Sequence, residues 1–456
     1  MTTATEGFSY EHRDGFGVPR PDRWERVEAP AGMLAVAHPP VPAEIFRPNL
    51  VLRWAPAAGV SVGRYATAAL ASTLEQMDDA RIISHELWSH TAGGRAFPGR
   101  RQRFLHQVGV HPVCVDRWIW IAGGYALEAT ASYAVEQHTG MKLLFEQMIR
   151  DITVDPAVLD GTAVADLEIK DLDRIAPREP RCDEFASRWL GTDVEDLSGV
   201  AGAQPYCETG AVFPIASLEL LDTLADRARL GRFQRKEAAA RQLQSAGLLT
   251  AEGTLSPPGE QFLTPTRVSD ATFLVDAADG SGGSVMQARI GGGLAKVTTA
   301  PSLFSGSRAS GPELGSDELF VRLIQANAVP KLIADWAGLS PAWSLPHAPV
   351  LLPKQQYLAR LGDAGTIAPK DLDEGGTRMW KQPWTQWQVV EERTGGWFGW
   401  VNAGSAGQYR LTPGQGDNVC LEPMSSAVVW DVLVRFIHAS VEGAPLLLPE
   451  VPGFNG

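Results

Sequence analysis

Two histidines five residues apart, His85 and His90, form the most suggestive metal-binding string in the sequence. A helical zinc site needs histidines at i and i+4, so that both imidazoles share one face. Residues 82–88 are strand-like in composition, and alternation along a strand places the two histidines on opposite faces. His106 and His111 show the same five-residue gap. We therefore expect neither a metal nor another cofactor at these positions.

Other catalytic motifs are incomplete. Residues 291–296 lack the spacing of a phosphate-binding loop and lie between two strand-like runs, which favours a hairpin turn. Residues 404–407 are one position short of a nucleophile elbow, and residues 371–375 lack the downstream glutamate of a calcium loop. The sequence therefore predicts a non-enzymatic protein. An enzyme whose site is dispersed along the chain remains an alternative.

Tryptophans are concentrated in one segment, since residues 380–400 hold five of the 14 in the chain. Aromatic side chains are enriched at interface hot spots because they bury a large area with few rotamers. The candidates for partner binding are Trp397, Phe398, Trp400, Trp384 and Trp387. Two other interpretations stay open, namely rings that fill a core between sheet and helix, and an aromatic platform for carbohydrate.

Strand alternation separates the candidates in residues 397–400. Trp397 and Gly399 fall on one face, and Phe398 and Trp400 fall on the other. One of the faces must be core, so only one pair can contact a partner. We favour Trp397 as the exposed ring, because its glycine neighbour on that face packs little.

The first 150 residues contain the elements of one sheet with flanking helices. Helical spacing predicts a helix over residues 62–77, and strand-like runs follow it at 82–88, 103–108 and 117–121. Gly123-Gly124 predicts a hairpin turn into residues 125–132. Apolar residues between 141 and 149 lie on one helical face and close the block.

The order of these elements resembles the PsbP-like domains of the LpqN/LpqT family of actinobacteria. The matching residues are 16–24, 47–52, the helix after them, and 123–130, so the resemblance covers about residues 8–150. Members of this type are usually lipoproteins or bind other proteins. The resemblance therefore implies binding rather than catalysis, although this chain lacks the lipobox cysteine.

The chain is predicted to divide into three parts. Residues 1–150 form the PsbP-like domain, residues 151–210 an acidic connector with short helices, and residues 211–456 a second α+β domain. Within the last part, helices are expected near 215–225 and 237–246, and the segment 243–255 is similar to a winged-helix module. Arg235, Lys236 and Arg241 would then give the second helix a basic face. A winged-helix transcriptional regulator is accordingly an alternative function.

Residues 210–440 resemble the EspG family of cytosolic type VII secretion chaperones. The match comprises residues 243–255, strand-like runs at 271–276, 285–290 and 294–298, and a predicted helix at 316–324. Four further strand-like runs between 385 and 423 precede a helix at 427–437, which gives the pseudo-repeat that such chaperones show. The resemblance implies a helical secretion substrate as partner.

Composition and charge restrict the partners. The 456 residues are 44% hydrophobic with a net charge of −13, and this charge is uneven. Residues 1–153 hold 15 Lys and Arg against 16 Asp and Glu, whereas the remainder holds 25 against 37. Such acidity repels nucleic acid and anionic lipid. The four cysteines show no CxxC spacing, and the N-terminus has no signal-peptide pattern, so we expect a cytoplasmic protein without membrane insertion.

These observations together predict an α+β protein with two domains that acts as a non-enzymatic cytosolic adaptor or chaperone. Its expected partner is a protein and not a nucleic acid, and the EspG resemblance implies that the partner is a type VII secretion substrate. The sequence does not determine the oligomeric state.

Overall fold

The chain forms two compact units. The computed structural model describes residues 7–57, 59–161, 180–304 and 314–444. Unit 1 consists of Met1–Gln204 with Ser340–Leu345, and unit 2 of Pro205–Leu339 with Pro346–Gly456. Both units combine antiparallel sheets with helices, as the α+β prediction requires.

Unit 1 contains a seven-stranded antiparallel sheet and a three-stranded one. Its strands are β1 Phe8–Arg13, β2 Phe16–Pro21, β3 Glu25–Val27, β4 Met33–Ala37, β5 Asn49–Pro56, β6 Arg81–Ala92, β7 Arg95–Val108, β8 His111–Ala122, β9 Tyr125–Ala134 and β10 Thr153–Val154. Its helices are α1 Val62–Gln76, α2 His138–Arg150, α3 Pro156–Leu159, α4 Glu184–Leu190 and α5 Ser198–Ala203. The large sheet has the order β3-β4-β5-β9-β8-β7-β6, and the small sheet the order β1-β2-β10.

Local signals explain the central elements of unit 1. The Ser61 side chain accepts a hydrogen bond from the Arg64 amide and begins α1 at the predicted place. Gly123 and Gly124 have φ values of 57° and 77°, which a two-residue hairpin between β8 and β9 requires. The predicted helix at 62–77 and the predicted strands through residue 132 are therefore confirmed.

The predicted boundary at residue 150 falls inside unit 1. Thr153 and Val154 pair with β2, and the Gln204 side chain bonds both the amide and the carbonyl of Ile82 at 2.7 and 2.9 Å. Residues 180–204 therefore complete the first unit rather than connect two units. Residues 162–179 of the predicted connector lie outside the described residues.

Unit 2 is built on one ten-stranded antiparallel sheet. Its strands are β11 Ala211–Pro214, β12 Ala271–Asp279, β13 Gly282–Gly291, β14 Leu294–Thr299, β15 Glu318–Gln325, β16 Val350–Pro353, β17 Thr385–Glu391, β18 Trp397–Asn402, β19 Gln408–Pro413 and β20 Asn418–Met424. Its helices are α6 Ile215–Asp222, α7 Ala238–Ser245, α8 Pro257–Arg267, α9 Val329–Trp336, α10 Lys354–Gly362, α11 Glu374–Lys381 and α12 Ser426–Glu442.

The sheet order reveals an internal repeat. The order is β11-β15-β14-β13-β12-β17-β18-β19-β20-β16, so two five-stranded halves meet where β12 pairs with β17. Each half starts with its edge strand, continues through helices to a four-stranded meander, and ends in a helix, α9 or α12. The predicted pattern of strands followed by a helix, twice over, is present in the fold.

One predicted helix is wrong. Residues 316–324 were expected to be helical, but Glu318–Gln325 form strand β15. This strand pairs with β14 on one side and β11 on the other, and it buries Phe320 and Val321. Pairing with two neighbours overrides the local apolar spacing, and the helix that ends the first half follows as α9.

Candidate functional site

The central strands of unit 2 have one covered face and one partly open face. On the covered face, Phe273 and Phe398 pack their rings against Phe436 of α12, with centroids 5.7 and 5.1 Å away. On the opposite face Thr272 and Val401 are buried, whereas most other side chains of β12, β13, β17 and β18 are partly or fully exposed. We call this surface the open sheet face, and its residues are Leu274, Asp276, Val285, Gln287, Gln388, Val390 and Trp397.

Trp397 is the most exposed aromatic ring of this face, at 41%. Its neighbour on the same face is Gly399, where an added Cβ would lie 3.0 Å from Cζ3 of the indole. The ring therefore lies across the glycine, which leaves room for it. Trp397 pairs with Val390 on β17, and Val285 on β13 is 39% exposed. An exposed indole thus stands among apolar and amide side chains on this face.

The other four candidate rings are not surface groups of this kind. Trp387 and Trp400 stack at 4.4 Å with 0% and 1% exposure, and Phe398 is partly buried against α12. Trp384 is buried with Trp380 in the core beneath α10 and α11. The expectation that Trp384, Trp387 and Trp400 contact a partner is therefore corrected, because their indoles form the hydrophobic core.

The basic residues of the predicted winged helix are arranged differently from the prediction. Arg235 and Lys236 lie in a single 3-10 turn, Gln234–Lys236, and only Arg241 lies on α7. Helices α6, α7 and α8 share one apolar core, and Leu249 and Leu255 form an isolated bridge beyond α7. No further observation favours DNA recognition over this packing role.

A buried charge network in unit 1 was not anticipated. Glu195 accepts hydrogen bonds from Arg100 at 2.8 and 3.1 Å and from His85 Nε2 at 3.2 Å. Gln102 donates to His85 Nδ1, so the hydrogen of His85 is on Nε2. Burial alone would raise the pKa of Glu195, but His85 and Arg100 outweigh it and lower the pKa to about 2. The network holds residues 193–195 against the sheet.

A second network lies on the other face of the same sheet. Asp116 accepts bonds from Arg103 at 2.9 and 3.1 Å and from the Tyr133 hydroxyl at 2.5 Å. Burial opposes ionisation of Asp116, yet Arg103 and Arg101 hold its pKa far below the usual range. Each network is complete without a substrate, so both serve the fold. The sequence signal for the two networks is that β7 carries polar residues on both of its faces.

The histidine and glycine motifs have structural positions. His85 faces Glu195, whereas the His90 Nε2 contacts the Ile152 carbonyl at 3.1 Å, so the two rings lie on opposite faces as alternation predicts. Gly292 and Gly293 form the predicted hairpin turn between β13 and β14. Asp373 caps α11 by accepting from the Gly376 amide. Within the described ranges, no three His, Cys, Asp or Glu residues are grouped as metal ligands.

Comparison with known proteins gives structural neighbours only. No protein-family model matches the chain, and no curated protein matches it significantly. Similar solved structures include PsbP (CyanoP) from Synechocystis sp., with 13% identity, 34% of this chain covered, 96% of that chain covered and a TM-score of 0.26. LpqN of Mycobacterium tuberculosis, involved in cell envelope biogenesis, has 11% identity, coverages of 33% and 91%, and a TM-score of 0.24.

A protein of unknown function from Pseudomonas aeruginosa is a third neighbour. It has 10% identity, coverages of 32% and 94%, and a TM-score of 0.24. These TM-scores are too low to assign a family or an activity. The chain is an α+β protein, and PsbP and LpqN are among the structures to which it is weakly similar. Across the described parts of the chain, no helix is long and apolar enough to cross a bilayer.

Proposed function

We propose that this protein is a non-enzymatic adaptor or chaperone that binds a protein partner on the open sheet face of unit 2. The observation that carries the proposal is the exposure of Trp397 in a sheet whose other tryptophans, Trp387 and Trp400, are buried. An indole left on a sheet surface loses part of the burial that normally stabilises it. Contact with a partner would restore that burial, and tryptophan is a frequent hot-spot residue.

The composition of the surface supports a protein partner. Val390 and Leu274 provide apolar area on the two strands next to Trp397, and Val285 adds to it on β13. The amides of Gln287 and Gln388, which lie 3.5 and 3.3 Å from the carboxylates of Glu392 and Asp276, add polar groups to the surface. Asp276 adds one carboxylate to a chain of net charge −13. We therefore expect the partner to present an apolar surface with neutral or basic edges.

The resemblance to EspG supplies a finer form of the proposal. In that form the partner is a helical secretion substrate, and the complex forms in the cytoplasm. An amphipathic helix that docks through one apolar stripe would contact Trp397 as its main aromatic anchor.

A pull-down with matched variants tests the proposal. The wild-type chain, Trp397→Ala and Ile367→Ala serve as baits, since Ile367 is 85% exposed at another place in unit 2. We expect a protein that is retained by the wild type and by Ile367→Ala but lost with Trp397→Ala, while circular dichroism shows all three baits folded. Equal retention by Trp397→Ala would place the interface elsewhere.

A further inference from the structure

One segment of unit 2 reverses the acidic character of the chain. Residues 226–241, which we call the basic segment, hold six Lys and Arg against two Asp and Glu, whereas the whole chain has a net charge of −13. Five of the six basic residues are exposed, namely Arg227, Arg229, Arg232, Lys236 and Arg241. Within the part of the chain that the structure describes, none of these five forms an ion pair. The surplus of positive charge is therefore free to attract an anionic partner.

Phe233 is an exposed aromatic ring in the middle of the basic segment. Its side chain is 85% exposed, whereas Leu230, the other large apolar residue of the segment, is 2% exposed and belongs to the core of α6, α7 and α8. Arg232 precedes the ring directly, and Arg229 and Lys236 lie four and three residues from it. The backbone positions of these cations are thus at most about 14 Å from that of Phe233. A single apolar ring is surrounded by long, flexible cationic side chains.

Backbone hydrogen bonds on both sides of the ring give this part of the chain a defined shape. The Leu230 amide donates to the Gly253 carbonyl at 2.8 Å, and the Arg235 amide donates to the Gly231 carbonyl at 3.1 Å. The buried side chain of Leu230 adds an apolar anchor directly before the turn. Phe233 is therefore presented from a fixed turn, which lowers the entropic cost of ordering it on a partner.

The combination of unpaired cations with one exposed ring suits an anionic lipid surface. Arg and Lys side chains are attracted to lipid phosphates, and an apolar ring can enter the boundary between head groups and acyl chains. Acidic residues elsewhere in the chain are screened beyond about 8 Å at physiological ionic strength. An acidic protein would have to exclude water around Phe233 through neighbouring apolar contacts, and Leu230 is buried and offers none. We propose that the basic segment docks the protein on an anionic lipid bilayer, with the Phe233 ring inserted at the interface.

Nucleic acid competes for the same positive charge, but the segment lacks its other requirements. Glu237 is exposed and begins α7, so a carboxylate stands at the start of the helix that a winged-helix module would place in a groove. Residues 238–240 are alanines, which cannot form hydrogen bonds with base edges. Single strands stack their successive bases on aromatic side chains, and the basic segment has one ring. The basic segment shares no residue with the open sheet face, so this proposal is independent of the proposed function.

Co-sedimentation of the full chain with vesicles tests the proposal. The vesicles are pure phosphatidylcholine or an equimolar mixture of phosphatidylcholine and phosphatidylglycerol, and the competitors are a single-stranded DNA oligonucleotide and polyglutamate. We expect binding to the anionic vesicles to be at least about 25-fold tighter than to the neutral ones, and to weaken as salt shortens the Debye length from about 10 Å to about 3 Å. Equal binding to both vesicles, no binding to either, or tighter binding to the DNA or to polyglutamate would overturn the proposal.

Variants locate the binding within the basic segment. The double variant Arg229→Gln with Arg232→Gln removes two cations, and we expect it to weaken binding to anionic vesicles by about 25-fold. Phe233→Ala should weaken it by about tenfold or more, because the ring no longer enters the interface. The matched controls are Ile367→Ala, which removes an apolar side chain that is also 85% exposed, and Arg23→Gln, which removes an exposed cation of unit 1.

Both controls should change vesicle binding by less than about twofold, which is small beside the loss of one cation near the bilayer. Circular dichroism should show that all variants are folded. Binding that the double variant leaves unchanged, or that Arg23→Gln weakens equally, would contradict docking through the basic segment. Binding that Phe233→Ala leaves unchanged, or that Ile367→Ala weakens equally, would contradict insertion of the ring.

Discussion

Replacing Glu195 with glutamine should destabilise unit 1, because it removes the carboxylate that His85 and Arg100 share. The pKa of Glu195 is lowered from 4.5 to about 2. A shift of that size corresponds to about 3 kcal/mol of stability at neutral pH. Because the folded-state pKa is depressed, this stability is present above pH 4.5 and is lost as the pH falls towards 2. Leaving Arg100 buried without its partner has a cost of the same order.

Guanidinium unfolding at pH 7, with hydrogen exchange of peptides from β6 and β7, measures the effect. We expect Glu195→Gln to lower the free energy of unfolding by about 3 kcal/mol and to increase exchange in these two strands. Asp193→Asn is the matched control, since Asp193 is exposed and its main-chain carbonyl oxygen, which the substitution keeps, accepts the hydrogen bond from Arg100. If Glu195→Gln changed the stability no more than Asp193→Asn does, the network would not hold residues 193–195 to the sheet.

Three further predictions concern the two units. In chemical denaturation, Trp400→Ala should lower the free energy of unfolding by about 3 to 5 kcal/mol and Trp397→Ala by about 1 kcal/mol or less, because Trp400 is buried and Trp397 is exposed. Equal losses would contradict the assignment of Trp400 to the core and Trp397 to the surface. Burial depresses the pKa of His90 from 6.5 to about 4, so unfolding free energy should rise with pH by about 3 kcal/mol across that window. In His90→Phe the free energy of unfolding should change much less with pH over this window. A pH profile equal to that of the wild type would contradict the claim that His90 causes the rise. Amide hydrogens of β6 should exchange faster in a fragment of residues 1–150 than in a fragment of residues 1–204, because the shorter fragment lacks Glu195 and Gln204. Identical exchange in the two fragments would support the predicted domain boundary at residue 150.

Much of the fold could be predicted because short-range signals determine it. Glycine pairs with positive φ mark the tight turns at 123–124 and 292–293, and Ser61 marks the start of α1. The sequence predicts a helix where strand β15 forms, because a short apolar run satisfies either period. Its pairing partners, β11 and β14, are separate segments of the chain, and no local signal reports them.

The candidate site could be predicted only in part. Alternation separates Trp397 from Trp400, and the two rings do lie on opposite faces of β18. Which face is covered depends on α12, whose Phe436 packs against Phe398 from the end of the chain. The Glu195 network escaped prediction for the same reason, since Glu195 and Arg100 are 95 positions apart. Contacts of that range require the folded chain.

The most direct test of the proposed function is a dissociation constant. Once a partner has been purified, calorimetry should compare the wild-type chain with Trp397→Ala and with Ile367→Ala. We expect Trp397→Ala to weaken binding by at least about 30-fold, which corresponds to the roughly 2 kcal/mol of a hot-spot residue, and Ile367→Ala to change it by less than about twofold. An affinity that Trp397→Ala leaves unchanged in a folded chain would contradict the claim that the open sheet face binds the partner.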